Sequence, residues 1–221
     1  MTSGLGLTIS IAAAYIVGSI PVGWLIAKYG HGIDLRTAGS GNIGATNVGR
    51  TLGREWGLIC LLCDLLKGVA GAFVPLAMRL PEDWNSPAMV ACGAAAVLGH
   101  VFPVWLKFRG GKGVATGAGV AIVLAWPAAL AAVAAFAIVF AVKRVVSLSS
   151  MVAAIVYAVF ALALNDPLSR ENWPLATFAV AIPGLIVFRH RDNIGRLLRG
   201  QEKPFTAAKS HEDSQETPVG S

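Results

Sequence analysis

Charge is what this sequence has least of. Asp, Glu, Lys and Arg make up 14% of its 221 residues, against about 25% in a soluble domain. So few ions cannot coat a globular surface, which excludes an ordinary water-soluble fold. Disorder is excluded for the body as well, because 55% of the residues are hydrophobic. Strict apolar/polar alternation is missing, which excludes a membrane β-barrel. Cysteine is scarce: Cys60, Cys63 and Cys92 all sit in apolar blocks, and the Cys60/Cys63 spacing reads as helix packing rather than a redox pair. Met1–Ser10 holds no Lys or Arg, so the basic segment of a cleavable signal peptide is not expected. No His/Cys/carboxylate cluster has metal-ligand spacing and no Gly-x-Ser-x-Gly elbow is present. A resident metal or other cofactor is therefore not expected.

What the sequence does have is long apolar blocks: Leu5–Ile26, Trp56–Met78, Ala88–Leu106, Val114–Val142, Leu148–Leu164 and Pro174–Phe188. Several exceed the ~18 residues that read as a membrane helix, so the fold class is an all-α membrane protein. The first span has Lys28 just behind it and no basic residue before it, which favours an outside N-terminus. Val114–Val142 decides the parity. Read as two short helices broken at Trp126-Pro127, it gives seven spans with the C-terminus inside and 15 of 18 basic residues on the inner face. Read as one span, it sends eight more basic residues outside, against the positive-inside rule. The expectation is seven transmembrane helices, two of them short, in one domain over 1–203, with a polar, disordered tail over 204–221. The net charge of +6 suits anionic headgroups or an anionic substrate, and nucleic acid is not an expected partner. No obligate protein partner is evident.

Every inner segment is basic and rich in donors. The first, residues 34–50, interleaves Gly39, Gly41, Gly44 and Gly49 with Ser40, Asn42, Thr46, Asn47 and Arg50. Its Gly39–Gly44 stretch matches the dinucleotide fingerprint formally, but no strand precedes it. The second presents Arg109, Gly110, Gly111, Lys112 and Gly113 at a helix start, a setting in which free amides bind anions. Gly113 stands where a nucleotide loop needs Ser or Thr, so that reading fails. The third contains Ser147, Ser149 and Ser150, with Ser147 or Ser149 as a plain helix cap the bland alternative. The fourth runs through His190, Asn193, Arg196 and Glu202; a lipid-binding basic tail is the plain alternative. Within the spans, Asp64 and Lys67 are three apart and can pair, which leaves open whether they bind substrate or hold the bundle. His100 is a core histidine or a site residue.

These segments resemble the acyl-phosphate:glycerol-3-phosphate acyltransferases of bacterial membranes, the PlsY family. The resemblance rests on Gly18-Ser19-Ile20-Pro21, Gly39-Ser40-Gly41-Asn42-Ile43-Gly44-Ala45-Thr46-Asn47, Asp64-x-x-Lys67-Gly68 and Gly99-His100-Val101-Phe102-Pro103. It continues through Arg109-Gly110-Gly111-Lys112-Gly113, Ser147-Leu148-Ser149-Ser150 and His190-x-x-Asn193-Ile194-x-Arg196-Leu197. It implies transfer of an acyl group from acyl phosphate to the 1-hydroxyl of glycerol 3-phosphate, giving lysophosphatidate and phosphate. It also implies no cofactor, an inner-membrane location and a cytoplasmic site. On that reading Arg50, Lys112 and the glycine amides hold phosphate, while Ser40, Asn42 and Asn47 orient the donor and the oxyanion. Ser150, His190 and Asn193 hold glycerol 3-phosphate. Gly41, Thr46, Lys67, His100, Arg109, Gly110, Gly111, Gly113, Ser147 and Glu202 complete the expected substrate-binding set. The general base is His100, His190 or a substrate phosphate.

Two other readings are weaker. Thioester-dependent acyltransferases typically place Asp five residues after His, whereas here Arg36, Trp105, Gly195 and Glu216 follow His31, His100, His190 and His211 at that distance. A transporter of phosphorylated solutes needs polar groups on both faces, and here they are one-sided.

Overall fold

Every apolar block forms helix in the computed structural model, which describes residues 3–80, 82–167, 169 and 171–208. Among these residues there is no strand. The chain is an integral, multi-pass membrane protein: five helical stretches are long and apolar enough to cross a bilayer, and a sixth arises from a bent pair. The residues 209–221 of the expected disordered tail, with His211, lie outside the described part, as does Arg170.

Helix α1 (Ser3–Ser19) stops where Pro21 can offer no amide to the helical ladder. A short α2 (Val22–Leu25) and a π-turn to Gly30 continue the path. The amphipathic α3 (Ala45–Leu52) follows the first loop, and α4 (Arg54–Ala77), α5 (Glu82–Val101) and α6 (Val114–Lys143) form the middle of the bundle. The set closes with α7 (Val146–Leu164), α8 (Trp173–Arg189) and the short α9 (Arg191–Leu198).

Small residues set the helix spacing, as expected where lipid supplies no hydrophobic drive between helices. A β-carbon on Gly99 of α5 would lie 2.3 Å from the Tyr15 carbonyl of α1, and one on Gly119 of α6 would lie 2.1 Å from the Leu65 carbonyl of α4. The core so formed contains Val97, Val101, Val120, Ala128, Phe178 and Ile182. Leu62, Leu66, Val133 and Val159 stay exposed on the rim, as lipid-facing positions should.

Helix α6 carries the break expected within Val114–Val142, as two helical arms that meet at a kink. It runs through 30 residues with one break, at Ala125, where φ is −154° and ψ is 69°. The break falls one residue before Trp126-Pro127, because Pro127 has no amide for the carbonyl a turn earlier. The first arm holds Gly117 and Gly119 against the bundle, while Val133, Ile138 and Val142 of the second are more than half exposed. Both ends nonetheless line one cavity: Lys112–Ala115 at the start, and Phe136, Val146 and Ser147 at and beyond the end. The two ends of the kinked helix thus lie at the same cavity. Labelling of single cysteines at Gly113 and Arg144 by an impermeant thiol reagent is expected to report the same compartment. Labelling from opposite sides would contradict this path.

Candidate active site

The first loop is built around Asn47. Its Oδ1 accepts the Ser40 amide at 2.7 Å, and its Nδ2 donates to the carbonyls of Ala38 (3.0 Å) and Asn42 (2.8 Å), with that of Leu35 at 3.4 Å. Leu35, fully buried beside Ala27, Val48 and Cys60, pins the loop to the bundle. Gly39 has φ +57°, and a β-carbon there would lie 2.2 Å from Asn47 Oδ1, so only glycine fits. Asn42 Oδ1 accepts the amide of Gly44, the residue that opens α3. Thr46 and Arg50, one turn apart on α3, both line the cavity.

The second loop is folded back onto the end of α5. The Gly110 amide donates to the Val101 carbonyl and the Gly111 amide to the His100 carbonyl, each at 3.1 Å. A β-carbon on Gly111 would meet His100 Nε2 at 2.0 Å. Arg189 Nη2 donates to the Gly110 and Gly111 carbonyls at 3.3 and 3.4 Å. Gly113, with φ +85°, then turns the chain into α6. None of the amides from Lys112 to Thr116 donates to a backbone carbonyl among the described residues. The first turn of α6 thus keeps its amides free, as helix starts that bind anions do.

The remaining two segments meet at Glu202. Ser147 Oγ (2.7 Å) and Asn193 Nδ2 (2.6 Å) donate to its Oε1, and Arg196 Nε donates to its Oε2 at 2.6 Å. Lys112 Nζ donates to Asn193 Oδ1, joining this cluster to the second loop. Partial burial would raise the Glu202 carboxyl, but the bonds from Ser147, Asn193 and Arg196 outweigh it and hold it below its ordinary range. Burial pushes the Lys112 ammonium down to about 8, against the pull of Glu202. Burial and then the Lys112 charge push His190 down to about 4. His190 is therefore neutral near pH 7, with Nδ1 bonded to the Ile186 carbonyl at 2.8 Å and Nε2 left as the acceptor.

The cavity these segments enclose measures about 1000 Å³. Ser40, Asn42, Arg50, Lys112 and His190 all line it, with Gly41, Thr46, Asn47, His100, Arg109, Gly110, Gly113, Ser147, Ser150, Asn193 and Glu202. Two expected residues do not. Lys67 is buried, paired with Asp64 at 2.8 Å and bonded to the Ile20 carbonyl at 2.9 Å. Gly111 is sealed behind His100.

The polar atoms of Asn47 are all engaged by backbone, so it shapes the loop. The amides of Gly110 and Gly111 are engaged too, whereas those at the start of α6 are not. Neither Ser147 nor Ser149 caps α7, because Val145 occupies that position. Ser149 bonds its own helix at the Val145 carbonyl and is fully buried. Arg189 was not singled out in the sequence. The signal available was its place in the basic run that ends the last apolar block, Arg189-His190-Arg191.

Comparisons with known proteins agree with one another. The family model described as glycerol-3-phosphate acyltransferase matches residues 8–200. The glycerol-3-phosphate acyltransferase of Geotalea daltonii is 47% identical over 93% of this chain and 99% of its own. That of Myxococcus xanthus is 46% identical over 93% and 100%. A crystal structure of PlsY, an integral membrane glycerol 3-phosphate acyltransferase, in its glycerol 3-phosphate form superposes with a TM-score of 0.82. It is 38% identical to this chain, over 90% of it and 96% of the solved chain. A lysophosphatidic acid form of PlsY matches at TM-score 0.78 and 36% identity, over 90% of this chain and 95% of that one.

Replacing Asn47 by Ala strands several buried loop groups, each costing about 1–3 kcal/mol. N47A is expected to lower the melting temperature in detergent by several degrees, whereas S40A leaves it unchanged. Equal melting of N47A and wild type would remove Asn47 from this role.

Proposed function

Because this chain belongs to the glycerol-3-phosphate acyltransferase family, we propose that it moves a fatty acyl group from acyl phosphate to the sn-1 hydroxyl of glycerol 3-phosphate. Lysophosphatidate and inorganic phosphate are the products, and no acyl-enzyme forms. The observation that carries this reading is a cavity at the end of an apolar bundle, lined by Arg50, Lys112 and the first turn of α6 together with Ser40 and Asn42. No metal or other cofactor is assigned to the reaction.

An acyl phosphate is a mixed anhydride, so its carbonyl is already activated and its leaving group is good. The protein's task is positioning and charge stabilisation more than nucleophilic attack. Arg50, Lys112 and the α6 amides hold the donor phosphate. The Ser40 hydroxyl and Asn42 Nδ2 face the carbonyl oxygen as negative charge develops on it. Ser150, His190 and Asn193 hold glycerol 3-phosphate. The acceptor oxygen bonds to the acyl carbon, the bond from that carbon to the phosphate oxygen breaks, and phosphate leaves with the electron pair. His190, titrating at about 4, is a weaker base than a phosphate group with a second pKa of about 6. A substrate phosphate oxygen therefore takes the hydroxyl proton while His190 orients the hydroxyl. The acyl chain lies among the spans, where burial contributes about 0.8 kcal/mol per methylene.

The same reading has the chain cross the bacterial inner membrane seven times, N-terminus outside and C-terminus inside, with the cavity facing the cytoplasm. The path of α6, with both ends on one cavity, supports that parity, as does the one-sided basic charge. The reaction is then the first step of phospholipid synthesis.

Purified protein given acyl phosphate and glycerol 3-phosphate is expected to form lysophosphatidate and phosphate in equal amounts; no product would sink the proposal. Removing the charge of Arg50 or Lys112 by Ala should lower kcat/KM by about 10²-fold or more, and unchanged kinetics would exclude either residue. The Lys112 ammonium is charged below its pKa of about 8 and loses its proton above it. Accordingly kcat/KM should fall as pH rises through about 8, and K112R, which stays charged, should lose that limb. The same alkaline fall in K112R would assign it to another group.

A further inference from the structure

The family match ends at residue 200, yet the chain beyond it is held against the site. We propose that Phe205 is a positioning residue for Arg50: its ring, with the Lys203 carbonyl, fixes the guanidinium where it meets the anionic donor. The identity of that anion rests on the acyltransfer reading above.

Residues 201–208 form a strap that lines the cavity at Glu202 and is tied to the segments around it. The Gln201 amide donates to the Arg196 carbonyl at 2.8 Å, and Glu202 is bonded to Ser147, Asn193 and Arg196. The Phe205 amide donates to the Arg144 carbonyl at 2.8 Å, and the Ala208 amide to the Gly49 carbonyl at 3.2 Å. The strap thereby joins α9, the turn after α6 and helix α3. Phe205 is its only aromatic residue. The ring sits 6.4 Å from that of Phe140 on the far arm of α6, and its edge lies 3.2 Å from where a β-carbon on Gly49 would be. A side chain at position 49 would push it away.

Arg50 Cζ lies 6.0 Å from the centre of the Phe205 ring, within cation–π range. Its Nη2 donates to the Lys203 carbonyl at 3.4 Å. No carboxylate lies within ion-pair distance of it among the described residues. Arg196, by contrast, is paired with Glu202 at 2.6 Å. The groups that restrain Arg50 are thus neutral. They limit the rotamers of a long side chain without cancelling its charge, which remains available to an anion in the cavity that Arg50 lines. A partner carboxylate would have given the same order at the expense of that charge.

The test compares F205Y, F205L and F205A in the full chain in detergent. Phenylglyoxal labels arginine, and peptide mapping reads the rate at Arg50 with exposed Arg54 as the internal control. F205Y keeps a ring and is expected to label Arg50 at the wild-type rate. F205L keeps apolar bulk but loses the ring face, and should label Arg50 several-fold faster, as should F205A, with Arg54 unchanged. In turnover, F205L should raise the KM for acyl phosphate several-fold while kcat and the KM for glycerol 3-phosphate stay near wild type. Wild-type labelling in F205L, or faster labelling with no change in the donor KM, overturns the inference. So does a parallel rise at Arg54, which would report general loosening of the fold. Labelling needs no substrate, so an inactive wild type would defeat the acyltransfer reading and leave the Arg50 contact to be judged by its labelling rates.

Discussion

The Glu202 carboxylate is the charge on which the arrangement of this site depends. It accepts from Ser147 on α7 and from Asn193 and Arg196 on α9, and through Asn193 it reaches Lys112 at the start of α6. Without that anion, the repulsion between Lys112 and Arg196 would lose the main charge that offsets it. With it, one cation is neutralised and the other is held at the cavity, partly desolvated, with its proton loosely enough bound to titrate near 8. Loss of Glu202 would leave three donors, the Arg196 cation among them, without their shared partner, so the cost would fall on packing and binding together.

A second constraint lies deeper. Each charge placed between apolar helices costs roughly 2.5–3.5 kcal/mol unless it is paired. Asp64 and Lys67 meet this by pairing with each other, and Lys67 also caps the Ile20 carbonyl near the point where Pro21 breaks the first span. His100 stands 3.6 Å from Asp64 on one side and against Gly111 on the other. Buried charge in this protein thus supports the loop from behind, with Asp64 also reaching the cavity wall, while Arg50, Arg109 and Lys112 line the cavity from outside the apolar blocks.

Much of this was legible in the sequence. Apolar block lengths gave the fold class, and the break expected near Trp126-Pro127 falls at Ala125 of α6. Gathering Ser40, Asn42, Arg50, Lys112 and His190 at one place needed only the fact that their segments share a face. What the sequence could not reveal was which donors the backbone would engage. Asn47, Gly110 and Gly111 look as free as Asn42 and Gly113 when written in a row, and only the folded loops show their polar atoms already bonded. Phe205 escaped notice because a lone aromatic in a polar tail carries no pattern, and its meaning comes from Gly49, Arg50 and Phe140, all distant in the chain.

The central claim is that donor and acceptor occupy the cavity together and that the acyl group passes directly between them. Initial rates measured over a grid of acyl phosphate and glycerol 3-phosphate concentrations test it most directly. Double-reciprocal lines that intersect are the result expected of a ternary complex. Parallel lines, the fingerprint of a covalent intermediate released before the second substrate binds, would contradict the account.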